Sequence, residues 1–380
     1  MQKSQNSILS AMPTLCASNG IFPRTALPLL ISCLSFLACG CPTVLEPEIV
    51  PGHKPVPEDL PRRLRSHVEV LAARIGERNC YRGPNLGAAA SWIEQNLKAD
   101  GYETKRLAVP VPAGPPFECG PLTVWNIEAT KRGGSRADEI VIVGAHYDSK
   151  VATPEWNDHG PPLPDRPGTP GADDNASGVA ALLEIARLIA RTPTERTVRF
   201  VAFVNEEPPF FKTDCMGSRV YAKDCAKKDA GKIVGAIVLE QVGCYSVRPR
   251  TKRPWFASLV GIPDRPDYVA FFSNFASRRF TEQCGSIFHR HSNVEVRCIS
   301  PPDFTGSLSW SDDWSFWQEG FSAFSACDTS YMRHDDYHEL EDTADRLDYV
   351  TLADLVWGLH YVVWELADSG ERRGAGVPGG

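Results

Sequence analysis

The chain has 380 residues, 42% of them hydrophobic, and a formal net charge of −7 at pH 7. That length and apolar content are enough for one large core, so a second domain is not required. No run of Lys or Arg is sustained, which leaves no electrostatic footprint for nucleic acid and excludes that class of partner.

The N-terminus reads as an export signal over residues 1–41: Arg24 precedes the apolar stretch 26–38, which meets Cys39-Gly40-Cys41. The stretch falls short of the ~20 residues of a transmembrane helix, so cleavage is expected. The sequence Phe-Leu-Ala-Cys ending at Cys39 resembles a bacterial lipoprotein cleavage box; a lipidated N-terminal Cys attached to the membrane and a plain secretory signal both stand. Either way the mature chain is expected in the periplasm or outside the cell. Of twelve cysteines, nine remain from Cys41 onward and none sits in a C-x-x-C pair. Disulfides fit this usage better than thiolate metal ligands, with Cys284 and Cys298 a candidate bridge.

Residues 42–59 are rich in Pro and lack periodicity, which predicts an extended tether. A single domain is expected over 60–370, followed by a disordered tail at 371–380. Helical spacing appears over 64–75 and 87–97, the second stopping at Gly101. Apolar runs then alternate with amphipathic stretches, which predicts an α/β fold of three layers with a mixed, mostly parallel central sheet flanked by helices. Four runs are short and apolar enough for buried strands: 139–143 (EIVIV), 197–204 (TVRFVAFV), 233–239 (IVGAIVL) and 321–326 (FSAFSA). Val179, Leu182, Leu183, Ala186 and Ile189 mark a crossover helix after the first.

Each run is followed by groups able to bind metal: His146, then Glu206 and Glu207, then Glu240, then His338. Ligands bind at the carboxyl ends of strands in open α/β sheets, so these groups can converge. Asp173 and Asp174 add carboxylates before the crossover helix. Two zinc ions about 3.5 to 4 Å apart need a bridging carboxylate and two further ligands each, all available here as imidazole and carboxylate. Glu206, left over beside Glu207, suits a general base.

GAHYDS (144–149), GADDNASG (171–178), NEE (205–207) with MGSRVYA (216–222), LEQVG (239–243) and YHELEDTADRLDY (337–349) together resemble the co-catalytic zinc aminopeptidases, in order and spacing, over residues 64–367. The resemblance implies a zinc exopeptidase fold and two Zn2+ per chain. It places His146 and Glu240 on one ion, Glu207 and His338 on the other, and Asp174 between them. It makes Glu206 the base that deprotonates the attacking water, Asp148 a group that orients His146, and Tyr337 an oxyanion stabiliser. It also favours His338 over His334, and leaves Asp173 as a turn or capping group.

The chain departs from the pattern at Glu240, where Asp is usual, at Glu339, where Thr is usual, and at Asp313, where many relatives have His. A long aromatic loop at 208–215 is expected to wall the site, while Trp310, Trp314, Phe316 and Trp317 suit either a pocket or the core. The implied activity is release of N-terminal residues from peptides. A single-zinc glutaminyl-peptide cyclase is the alternative within the superfamily, which Tyr337 in place of the usual Trp disfavours. An inactive binding ectodomain is a third reading, disfavoured because every ligand position and Glu206 hold competent groups. Carboxypeptidase or aminoacylase activity stays open, as does oligomeric state.

Overall fold

The apolar runs form strands of one nine-stranded sheet. The computed structural model describes residues 43–45, 55–154, 160–245, 267–301, 311–330 and 336–368; the expected export signal, the expected tail, Trp310 and His334 lie outside them. The strands are β1 (Thr43–Leu45), β2 (Glu103–Val111), β3 (Leu122–Lys131), β4 (Arg136–His146), β5 (Arg196–Phe203), β6 (Ile233–Glu240), β7 (Tyr268–Ser273), β8 (Glu295–Ile299) and β9 (Ala323–Cys327). The helices are α1 (Leu60–Val68), α2 (Gly83–Ala99), α3 (Gly178–Ile189), α4 (Gly217–Lys228), α5 (Arg278–His289), α6 (Asp313–Trp317) and α7 (Tyr349–Asp368).

The strand order is β1-β8-β7-β9-β6-β4-β5-β3-β2. The centre, β9-β6-β4-β5, is parallel, as are β7 and β8, while the remaining pairs are antiparallel. Alternation along β4 shows why its run is apolar throughout: Val141, Val143 and Ala145 face one core, Ile140 and Ile142 the other. A strand covered on both faces has no polar side. The larger core takes α1, α2, α3, α5 and α7, and the smaller one takes α4 through Tyr221, Ala222 and Cys225 and α6 through Phe316. The result is the expected three-layer arrangement.

Within the segment expected to be a tether, Thr43–Leu45 instead pairs antiparallel with β8 as the edge strand β1. Thr43 and Val44 are β-branched residue types that favour strands. The helix read over 64–75 begins earlier, at Leu60, with Pro61 in its first turn, and continues as a wider π-type turn over Glu69–Ile75.

The expected Cys284–Cys298 bridge is not formed. Both are buried free thiols. They lie on α5 and β8 rather than in a loop, and the Cys298 thiol donates to the Thr281 carbonyl at 3.6 Å.

Candidate metal centre

From β4 the chain crosses through α3 to β5, then through α4 to β6 on the other side of β4, so a crevice opens at the carboxyl ends of these strands. His146 is the last residue of β4 and Glu240 the last of β6, while Glu206 and Glu207 stand just beyond β5. Asp174 lies in the turn Ala172–Ser177 ahead of α3, and His338 in the connection between β9 and α7.

These side chains converge. His146 Nε2 is 3.3 Å from Asp174 Oδ1 and 3.3 Å from Glu240 Oε2. His338 Nε2 is 3.1 Å from Asp174 Oδ2 and 3.4 Å from Glu207 Oε2. Asp174 therefore turns one oxygen toward each imidazole. Two triads result, His146-Asp174-Glu240 and Asp174-Glu207-His338, each with donor atoms within 4.8 Å of one another. Glu206 belongs to neither, with Oε2 3.8 Å from His146 Nε2.

The residues fit a bound cation. His146 Nε2 and Glu207 Oε1 are buried without a hydrogen-bond partner, a condition that costs about 1–3 kcal/mol per group unless something else satisfies it. Buried Asp148, Asp173, Asp174, Glu206, Glu207, Glu240, Asp312 and Asp342 crowd around buried His146, His338, Arg78 and Lys150. Such an excess of buried negative charge is what a metal neutralises, and imidazole with carboxylate oxygen is a zinc donor set.

The same crowding shifts the titrations. Burial opposes charge on His146, but Glu240 and Glu206 outweigh it and hold the imidazole well above its usual range. Burial raises Glu206 well above the carboxylate range, with Glu240, Glu207 and Asp312 adding to it and His146 opposing. Asp312, buried close to Glu240 and Asp148, is pushed up to about 7.

Supporting contacts hold the ligands. Asp148 was expected to orient His146 through its carboxylate, yet Oδ1 is 3.7 Å from His146 Nδ1, and the closer partner is the Asp148 backbone carbonyl at 3.2 Å. The carboxylate instead accepts the backbone N–H of Glu206 at 3.2 Å and of Glu207 at 3.1 Å. Asp173, expected to cap a turn or helix, accepts the Gly243 N–H at 2.8 Å and so fastens the α3 entry to the end of β6.

Four further residues escape a reading of the sequence for ligands. Asp342 accepts from the backbone of both Asp173 and Asp174, at 2.8 and 3.1 Å; its place in the EDT run at 341–343 is the one signal for it. Asn175 donates to the Leu239 carbonyl and accepts from the N–H of Gly178 and Gln241. Arg78 is wholly buried and donates to the Gly171 carbonyl at 2.7 Å. Ser311 donates to Glu240 Oε2 at 2.7 Å.

The backbone is bent to aim these groups. Asn205 (φ 59°), Gln241 (φ 50°) and His338 (φ 61°) adopt left-handed conformations beside or at ligand positions, each costing on the order of 1 kcal/mol or more. Glycine is required at Gly178, where a Cβ would lie 2.6 Å from the Leu239 carbonyl oxygen.

The site opens into a cleft of about 1060 Å³. Pro115, Pro116, Pro208, Pro209 and Phe211 wall it, so the loop at 208–215 takes the expected place, and Glu118, Lys212 and Asp313 bring charge. Tyr337 lines the cleft and stacks on His338 with ring centroids 3.8 Å apart. The other aromatic residues pack instead: Phe316 in the core, Trp317 with its indole N–H on the Ala323 carbonyl, and Trp314 under Lys212 and Arg219.

Residues 126–363 match the model of peptidase family M28. Protein YfbL of Escherichia coli K12 is 33% identical over 300 residues, covering 79% of this chain and 86% of that one. The solved structure of BSAP, a zinc aminopeptidase from Bacillus subtilis, superposes with a TM-score of 0.60 at 14% identity, over 84% of this chain and 97% of that one. A glutaminyl cyclase from Fimbriiglobus ruber superposes with a TM-score of 0.58 at 18% identity, over 84% and 98%.

Proposed function

The chain belongs to peptidase family M28, and from that premise we propose that it is a zinc-dependent aminopeptidase with two ions, one per triad. The observation that carries this reading is the split of the Asp174 carboxylate between the two imidazoles. Zinc in this position supplies polarisation of the scissile carbonyl and a lowered pKa for the attacking water.

The chain's own groups do the rest. Glu206 faces the cleft outside both triads and can take the water proton and return it to the leaving amine. Asp148 holds the backbone on which Glu206 rides. Tyr337 lines the cleft beside His338, which supports a role as donor to the developing oxyanion. Glu118 and Asp313 give the cleft negative charge suited to a free α-amine.

The test is elemental analysis with a panel of aminoacyl, N-terminal glutaminyl and C-terminal substrates, on the purified protein and Glu206→Gln. Two zinc ions and aminoacyl hydrolysis that drops about 10²–10⁴-fold in the variant are expected. One zinc with cyclisation of glutaminyl peptides would replace the reading with that of the structurally similar cyclases. We further propose export, on the strength of the apolar stretch at 26–38; no helix among the described residues is long and apolar enough to cross a membrane. Cell fractionation that finds the intact precursor in the cytosol would overturn it.

A further inference from the structure

The cleft wall made by Pro115, Pro116 and Glu118 belongs to the connection between β2 and β3. Among the described contacts, three anchor it near the site. The Phe117 ring stacks on Phe210 at 4.8 Å between centroids. The Tyr81 hydroxyl donates to the Phe117 carbonyl at 3.4 Å. The Cys119 and Cys80 thiols lie close enough to shift one another's titration. Cys80 is buried, and its thiol donates to Asn205 Oδ1 at 3.0 Å, next to Glu206 in the chain.

We propose that Cys80 and Cys119 are a disulfide site, and that the bond fastens the wall of the cleft to the turn Cys80–Arg82, which lies beside Asn205. The pair differs from the other thiols in what it can exchange with. Cys225, Cys244, Cys284, Cys298 and Cys327 are buried, whereas Cys119 is partly exposed. Contact with Cys80 also lowers the Cys119 pKa against the effect of burial, which favours the attacking thiolate.

The step needs an oxidised dithiol compound or oxidoreductase as co-reactant. The Cys119 thiolate attacks that disulfide and expels one thiolate, giving a mixed disulfide. Cys80 loses its proton and attacks the Cys119 sulfur, releasing the second thiolate. The protein gains one S–S bond and loses two hydrogens, and the disulfide of the co-reactant is reduced to two thiols. Asn205 gives up the Cys80 donor but keeps its own amide bond to the Cys215 carbonyl at 3.2 Å.

Trypsin separates the relevant cysteines, because Cys80 falls in peptide 79–82, Cys119 in 107–131 and Cys215 in 213–219. The full chain, equilibrated with oxidised glutathione, alkylated and digested without reductant, is expected to yield peptides 79–82 and 107–131 joined and two hydrogens lighter. Peptides joined as 107–131 with 213–219, or both cysteines recovered alkylated, would overturn the site. This readout does not depend on peptidase activity. The kinetic arm does rest on the proposed function: reduction should raise KM several-fold with kcat little changed, and Cys119→Ser should match the reduced protein and no longer respond to reductant. Since Cys119 is partly exposed, that variant avoids the folding risk of altering buried Cys80. A joined pair with no change in KM on reduction would leave the bond but remove its role in the cleft.

Discussion

Asp342 holds the backbone of Asp174, the residue proposed to bridge the two ions, and belongs to neither triad. Its two oxygens take the N–H groups of Asp173 and Asp174, so Asp342→Asn leaves one of those donors facing an amide NH2. Zinc affinity is expected to fall about 10–100-fold, as for other losses of a ligand's hydrogen-bonded support. Chelator competition measures it, and unchanged affinity would remove Asp342 from the positioning role. At Asp174 itself, Asp174→Asn replaces one of the two acceptor oxygens by a donor, and we expect metal analysis to show no more than one tightly held ion. The residues that converge on the candidate metal centre were legible from the sequence because metal donors must be His, Asp or Glu and these stand near strand ends. Asp342, Asn175 and Arg78 were not, since they act on main-chain groups whose positions only the folded chain brings near. Asp148 was half legible: the right residue, acting chiefly on the backbone of Glu206 and Glu207 rather than on His146.

The crossover helix α3 carries the turn that holds Asp174, and its seat depends on Glu184. That carboxylate is fully buried and meets Arg63 at 3.0 Å, His67 at 2.8 Å and Arg187 at 2.7 Å. Burial alone would raise its pKa, but bonds from His67, Arg63 and Arg187 bring it down from an ordinary 4.5 to about 2. The folded value is the lower one, so Glu184 contributes its full stability above pH 4.5 and loses it as pH falls toward about 2. The contribution is on the order of 3 kcal/mol. Glu184→Gln should lower Tm at neutral pH and flatten its fall across that acid window; equal pH slopes in both proteins would contradict this. Helix and strand existence were readable from apolar spacing, as in 177–190 and 139–143. The β1 strand was not, because three residues carry no period and gain their bonds only from the open edge of β8.

Across the whole molecule, the concentration of buried carboxylates at the sheet's carboxyl end couples metal binding to folding. Zinc binds the native arrangement and not the separated ligands, so chelation should lower Tm and added zinc restore it, by about 2.7 kcal/mol when free zinc is a hundredfold above its dissociation constant. Thermal melts with chelator and zinc titration check this; a Tm indifferent to both would argue against a metal held by these groups. The sequence by itself determined the layer architecture, the central strands and which residues are the candidate donors, because periodicity and side-chain chemistry are local properties of the chain. Only the tertiary structure decided that Asp174 divides its oxygens between His146 and His338, that Asp173 and Asp342 serve the backbone, and that Cys284 and Cys298 are free thiols on α5 and β8. Those outcomes depend on how segments tens to hundreds of residues apart are brought within a few ångströms, and no local pattern encodes a distance across the fold.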